Sequence, residues 1–247
     1  MSILLGKLGK FVRVLKVPMW RKALGQHRVA ASVEHESVFR LLCPLDLIID
    51  IGANRGQFSL LARLYNPTAR IISFEPLPSP AQTYRNVFVS DERVTLFQSA
   101  IGPEQGNVPI HISARDDSSS LLPISDLQAQ TFSGTAEVGT TSVAVAPLSR
   151  FLQADDIVSR TLLKIDVQGY EYNALQGCES LLSRFTYIFC ECSFVELYSG
   201  QQLAPAVIAW LASHGFLIKG IYNPCYNRVG LAIQADFLFE RQSAFID

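Results

Sequence analysis

The chain has 247 residues, a formal charge of −1, 49 % apolar residues and only 17 % charged ones, against about 25 % in an average soluble domain. These values exclude a disordered chain and predict ample core for one large α/β domain or two small ones, with an apolar surface covered by another molecule, a second copy included. Without a run of 18 apolar residues the chain has no expected membrane-spanning helix, and five cysteines without a CxxC pair fit a reducing, cytoplasmic compartment.

The near-neutral sum hides an uneven distribution. Residues 1–33 carry Lys7, Lys10, Arg13, Lys16, Arg21, Lys22 and Arg28 and no acid, hence +7; the remaining fourteen basic and 22 acidic residues leave −8. A basic arm at 1–33 therefore precedes an acidic body at 34–247. Within the arm, Leu4, Leu8, Phe11 and Leu15 at 4-3-4 spacing predict an amphipathic helix over 1–17, closed by Pro18. Three readings of that helix stand side by side: peripheral contact with an anionic membrane, a grip on a polyanion, or a cap on the domain. Nucleic acid is disfavoured, because the acidic body has no second basic patch and no aromatic–basic interleaving.

From Leu45 onward, short apolar runs alternate with helical patterns. Strands are predicted at 47–51, 70–75, 94–99, 162–166, 186–192, 216–222 and 236–241, and helices at 57–65, 79–88, 170–182 and 203–214. Nearly continuous apolar strands separated by helices require a mostly parallel sheet covered on both faces, a Rossmann-like three-layer sandwich. With no helix between the last two strands, the final one is expected to enter antiparallel. Residues 102–150, rich in Ser, Thr and Gly with strand-like pieces at 108–113 and 141–146, interrupt the alternation and read as an elaboration of the same domain.

The first strand runs into Asp50-Ile-Gly-Ala-Asn-Arg-Gly56 before a helix. Gly52 suits a tight turn, and Gly56 suits close packing where free N–H groups face a ligand. This GxxxG spacing is not the dinucleotide fingerprint GxGxxG, which argues against an NAD-dependent oxidoreductase. A strand ending in an acid repels pyrophosphate and suits a cation, such as the sulfonium of S-adenosylmethionine, at Asp50. Glu75 follows Asp50 by 25 residues, at the second strand's end, where an acid accepts ribose hydroxyls. Ser99, ending the third strand, is placed to contact adenine.

The ordered motifs DIGANRGQFS, FEP, AIG at 100–102, SSSL at 118–121 and KIDVQGYE at 164–171, followed by Gly177, resemble the FkbM-type methyltransferases over about residues 45–240. The resemblance implies the seven-stranded class I methyltransferase fold, S-adenosylmethionine as donor, and O-methylation of a saccharide or natural-product hydroxyl. It assigns Asp50, Gly52, Asn54 and Gly56 to the donor loop and Glu75 to the ribose. One position departs: the family's KIDVEG reads KIDVQG here, with Gln168 in the acid's place. That change also motivates a non-catalytic, donor-binding scaffold tethered by its arm.

Methyl transfer needs alignment and removal of the hydroxyl proton. Asp166, closing the fourth strand, is the leading base, with helix capping as its alternative role. Glu191 on the fifth strand is a second acid. The pair is an incomplete ligand set for Mg²⁺, so no metal site is assigned. His111, in the elaboration, has the pKa range of a base and is the third catalytic candidate.

Overall fold

A computed structural model describes residue 9 and residues 12–242. Its main sheet contains β1 (Leu47–Ile51), β2 (Arg70–Phe74), β3 (Val94–Phe97), β7 (Thr161–Ile165), β8 (Tyr187–Ser193), β9 (Phe216–Tyr226) and β10 (Ala232–Arg241), in the order β3-β2-β1-β7-β8-β10-β9. Strands β3, β2, β1, β7 and β8 pair in parallel, and β10 inserts antiparallel between β8 and β9. This is the expected mostly parallel sheet with its last strand reversed.

Alternation along the central strands explains the two covered faces. Leu47, Ile49, Ile51, Leu163 and Ile165 pack with helices α6 (Glu171–Cys178) and α7 (Ala204–Ser213). Ile48 and Leu162 face the other way, towards α1 (Pro18–His27), α2 (Glu36–Leu42), α3 (Gln57–Tyr65) and α4 (Pro78–Val87). The 170–182 pattern divides physically: α6 stops at Cys178, and 179–184 continue as a tighter 3₁₀ turn.

The arm departs from its sequence pattern. Pro18, expected to end a helix, sits at the first turn of α1, where its missing N–H costs nothing. Trp20 is fully buried and donates Nε1–H to the Leu60 carbonyl at 2.9 Å. The amphipathic 1–17 reading rests on Leu4, Leu8 and Phe11, which lie outside the described residues. Residues 12–16 are helical, yet Val14 faces the core while Leu15 is exposed. The segment Val14–Ala31 thus helps build the core of the acidic body. Among the described residues no helix is long and apolar enough to cross a membrane.

Between β3 and β7 the chain forms a second sheet: β4 (Ala100–Ile101), β6 (Glu137–Ala146) and β5 (Gly106–Ser113), in the order β4-β6-β5. A short helix α5 (Asp126–Thr131) lies between β5 and β6. Strand order in the main sheet reverses between β1 and β7, and the crevice beyond the carboxyl ends of such strands is where open α/β sheets bind ligands.

Candidate functional site

The β1–α3 turn is shaped by two glycines. Gly52 has φ +78°, and a Cβ there would lie 1.9 Å from the Asp166 backbone oxygen, so only glycine lets the loop touch the end of β7. Gly56, at φ +95°, precedes α3, and its Cβ would come within 2.7 Å of the Phe88 ring. Gly56 therefore serves helix packing and lines neither cleft described below.

Asp50, expected to face a cationic ligand, turns away from both clefts described below. Its side chain is wholly buried, with Oδ2 accepting from Ser59 Oγ at 2.8 Å and Oδ1 3.0 Å from Lys164 Nζ. Lys164 is its register partner on β7 and also donates to the Gly52 carbonyl at 2.9 Å. Burial alone would lower the Lys164 pKa, but the Asp50 and Asp166 carboxylates outweigh it and hold the ammonium above its ordinary value. The cation that Asp50 selects is thus a lysine of the same chain. Two charged residues at matching places in adjacent strands were the available sequence signal.

Two clefts open at the switch point. The narrow one, about 60 Å³, is lined by Gly52, Asn54, Glu75, Ser99 and Asp166 over an apolar floor that includes Phe74, Leu77 and Ile101. Glu75 Oε2 accepts from Asn54 N at 2.9 Å and Oε1 from Leu77 N at 2.8 Å. Burial pushes its carboxyl up to about 7, against the opposing pull of these two N–H groups. Ser99 is buried, its hydroxyl shared between the carbonyls of Ala100 (2.9 Å) and Ala144 (3.3 Å). Residues 116–121 roof the cleft: Asp116 is gripped by Arg55, and the Ser118 carbonyl accepts from Tyr198 Oη at 3.1 Å.

The open cleft, about 340 Å³, is lined by polar groups that include Ser32, Gln57, Gln128, Lys164, Gln168 and Gln234, with Phe58 and Phe132 among them. Gly52, Asn54, Asp117, Asp166 and Gln168 line both clefts. Asp166 does not cap α6; Glu171 instead accepts from the N–H groups of Val167 (3.0 Å) and Gly169 (3.1 Å). Glu171 is buried, and desolvation raises its carboxyl to about 7.

Gln168 joins the acids. It holds φ +57°, strained for a residue with a side chain. Its Nε2 donates to Asp166 Oδ1 at 2.7 Å and to Glu191 Oε2 at 3.3 Å, while its Oε1 accepts from Tyr198 Oη at 2.9 Å. Glu191 Oε1 accepts from Gln234 Nε2 at 2.6 Å. Glu191 lines neither cleft and sits behind Gln168 and Gln234; burial, then the Asp166 charge, raises its carboxyl well above the carboxylate range. The ligand oxygens of Asp166, Glu171 and Glu191 lie within 4.8 Å of one another. Amide and backbone donors point at Glu171 Oε1, Asp166 Oδ1 and Glu191 Oε2.

His111 is also displaced from the site. Alternation along β5 turns Ile110 into the narrow cleft and His111 outward, where Nδ1 meets Glu137 at 2.9 Å. Its contribution comes from the backbone, which exchanges hydrogen bonds with Ser120 in the roof. Ser32, His35, Gln128 and Gln234 carry no motif, and sequence reasoning missed them as cleft residues.

A family model described as the methyltransferase FkbM domain matches residues 50–218. The 2-O-methyltransferase NoeI of Sinorhizobium fredii is 29 % identical over 188 residues, covering 74 % of this chain and 77 % of that protein. The 31-O-demethyl-FK506 methyltransferase FkbM of Streptomyces tacrolimicus is 29 % identical over 211 residues, covering 75 % and 78 %. Among solved structures, the magnesium protoporphyrin IX methyltransferase of Synechocystis with bound SAM overlays with a TM-score of 0.47 at 12 % identity, covering 96 % and 91 % of the two chains.

Proposed function

The chain belongs to the FkbM methyltransferase family, and we propose that this S-adenosylmethionine-dependent enzyme methylates a hydroxyl oxygen of a saccharide or natural-product acceptor by in-line transfer. The observation that carries the reading is Asp166, a carboxylate on the wall common to both clefts. The oxygen acceptors in the names of the two relatives support the same chemistry.

The narrow cleft has the chemistry that the donor's ribose and adenine require. Glu75 is a desolvated carboxylate whose two backbone bonds leave a lone pair on each oxygen, as ribose hydroxyls require. The floor of Phe74, Leu77 and Ile101 suits a purine face. S-adenosylmethionine, when bound, supplies a methyl group on a positively charged sulfur that leaves as a neutral thioether.

The chain's own residues do the rest. Lys164, charged against Asp50, ties the Gly52 carbonyl to β7 and keeps the loop beside Asp166. Gln168, donating to Asp166 Oδ1, fixes that carboxylate's orientation and leaves Oδ2 for the acceptor. Asp166 is the base that would take the proton of an acceptor hydroxyl aligned with that methyl group. Alignment of this kind contributes about 7–11 kcal/mol in well-oriented reactions, and a base adds about 10²–10⁴-fold.

Calorimetric titration with S-adenosylhomocysteine tests the donor half. The native chain is expected to bind and Glu75→Ala to bind at least about tenfold more weakly. Silence from the native chain, or undiminished binding by the variant, sinks it. Transfer of a labelled methyl group to a base-stable ether, lost in Asp166→Asn, tests the other half.

A further inference from the structure

The Tyr198 hydroxyl stands where the roof of the narrow cleft meets the acid cluster. Tyr198 lines neither cleft and is 2 % exposed. Its Oη donates to Gln168 Oε1 at 2.9 Å and to the Ser118 carbonyl at 3.1 Å. A phenol carries one proton, so these two acceptors compete for it. Burial, then the Glu191 charge, raises the phenol above its ordinary value, which keeps that proton in place through the neutral range.

The ring itself is fixed. Gly169, at φ +97°, has no side chain where a Cβ would come within 2.7 Å of the Tyr198 ring, so the ring lies directly on the backbone next to Gln168. Around it, Ser125 N donates to the Leu197 carbonyl at 3.1 Å and Ser199 N to the Pro123 carbonyl at 2.9 Å, which ties this loop to the inserted segment. What is left to vary is the direction of one proton and the half-turn of one amide.

These two are linked. The ends of a carboxamide have nearly the same shape, so its hydrogen-bond partners decide which end faces which way. While the Tyr198 proton lies towards Gln168, Oε1 is satisfied and Nε2 faces Asp166 and Glu191. With the proton turned to Ser118, two oxygens would face each other at 2.9 Å, and a half-turn of the amide would relieve them by putting its oxygen against Asp166. The roof thus competes for the proton that keeps the base's partner in place. A cleft of about 60 Å³ also has to widen to seat a ligand, since ligand pockets measure about 300–1,000 Å³. Widening that draws Ser118 off Tyr198 hands the proton to Gln168.

We propose that Tyr198 is a positioning residue for methyl transfer, which holds the Gln168 amide on Asp166 and couples that hold to the roof over the donor. This rests on Asp166 as the base and on the narrow cleft as the donor's.

The test is a double-mutant cycle on the full, ligand-free chain labelled with ¹⁵N-glutamine. It is read by NMR at the Gln168 side-chain amide, whose signals are those lost in Gln168→Glu. Tyr198→Phe, which keeps the ring, is expected to displace these signals and to speed exchange of their protons with water by about tenfold, the equivalent of one hydrogen bond. Asp116→Asn, which frees the roof from Arg55, is expected to displace them when Tyr198 is present and to leave them in place in the Tyr198→Phe background. Signals and exchange unchanged by Tyr198→Phe would make the hydroxyl merely structural and overturn the proposal. So would a displacement by Asp116→Asn that is equal in both backgrounds or absent from the native one, and this last arm decides even if Tyr198→Phe does not fold. Failure of S-adenosylhomocysteine to bind the native chain, in a separate titration, overturns the donor reading and leaves the outcome of the cycle as it stands.

Discussion

The two clefts meet at Asp166 but are built in opposite ways. In the narrow one the polar groups are engaged with the chain itself: Glu75 with two backbone N–H groups, Ser99 with two carbonyls, Asp116 with Arg55. In the open one, side chains from the arm, the inserted helix and the reversed strand stand on one wall: Ser32, Gln128 and Gln234. A cleft whose donors and acceptors are prearranged suits one invariant ligand, whereas a wall assembled from the arm, an inserted helix and the reversed strand suits a ligand that differs from one relative to the next. The largest test of this division is Asp166→Asn, which touches both. We expect kcat to fall by about 10²–10⁴-fold while S-adenosylhomocysteine affinity changes little. A comparable loss of donor affinity would mean that Asp166 belongs to the narrow cleft alone.

Glu75→Gln comes next, with donor affinity expected to fall about 10–100-fold, the range of hydrogen bonds to a charged group. The pH dependence has a definite sign. Glu75 has a folded-state pKa of about 7 against an ordinary value of 4.5, so between those values the folded state binds more protons than the unfolded one. Stability therefore declines as pH rises from about 4.5 to about 7, by up to about 3 kcal/mol, and Glu75→Gln should relieve that decline. Donor binding, which favours the carboxylate, should strengthen as pH rises to about 7 and then level off, with proton release on binding below that pH. Calorimetry in buffers of different ionisation enthalpy reads the proton directly, and uptake instead of release would contradict the assignment.

The same contrast governs what the sequence made legible. The central strands follow from apolar runs buried on both faces, and the antiparallel last strand from a missing crossover helix. That Gly52, Asn54 and Glu75 share one cleft was legible because backbone geometry at a strand end restricts residue choice. Asp50 misled, because a charged strand end looks the same whether its partner is a ligand or Lys164. His111 misled for a different reason: the two faces of β5 are decided by the register with β6, which pairs His111 with Thr140 and is not written in either strand alone. Ser32, Gln128 and Gln234 come from the arm, the inserted helix and the reversed strand. Nothing local distinguishes them from surface residues until the fold brings them to one cavity.

Gln168 stands between the two regimes, and Gln168→Glu sharpens its role. The amide's two donated bonds to Asp166 and Glu191 would become contacts between carboxylates. The expected loss is about 1–3 kcal/mol at pH 8, shrinking as pH falls and the added acid protonates. Denaturant melts at pH 8 and pH 5 measure it, and a pH-independent loss would assign the effect to the strained backbone at this position instead of to charge.

The smallest effect is expected at the roof of the narrow cleft, and it bears on how the donor enters a space of about 60 Å³. Arg55 and Asp116 are 38 % and 31 % exposed, so their ion pair is worth less than about 1 kcal/mol to global stability. Asp116→Asn should accordingly lower Tm by no more than about 3 °C. Yet the pair fastens residues 116–121 over Glu75, and loosening it favours the open roof by the same small energy. The association rate of S-adenosylhomocysteine, followed by stopped-flow fluorescence, should therefore rise by a few-fold, the rate equivalent of less than about 1 kcal/mol. Dissociation should quicken in proportion, leaving Kd nearly constant. An unchanged association rate would mean that the roof never has to lift, and that the donor reaches Glu75 through the open cleft, past Asp166.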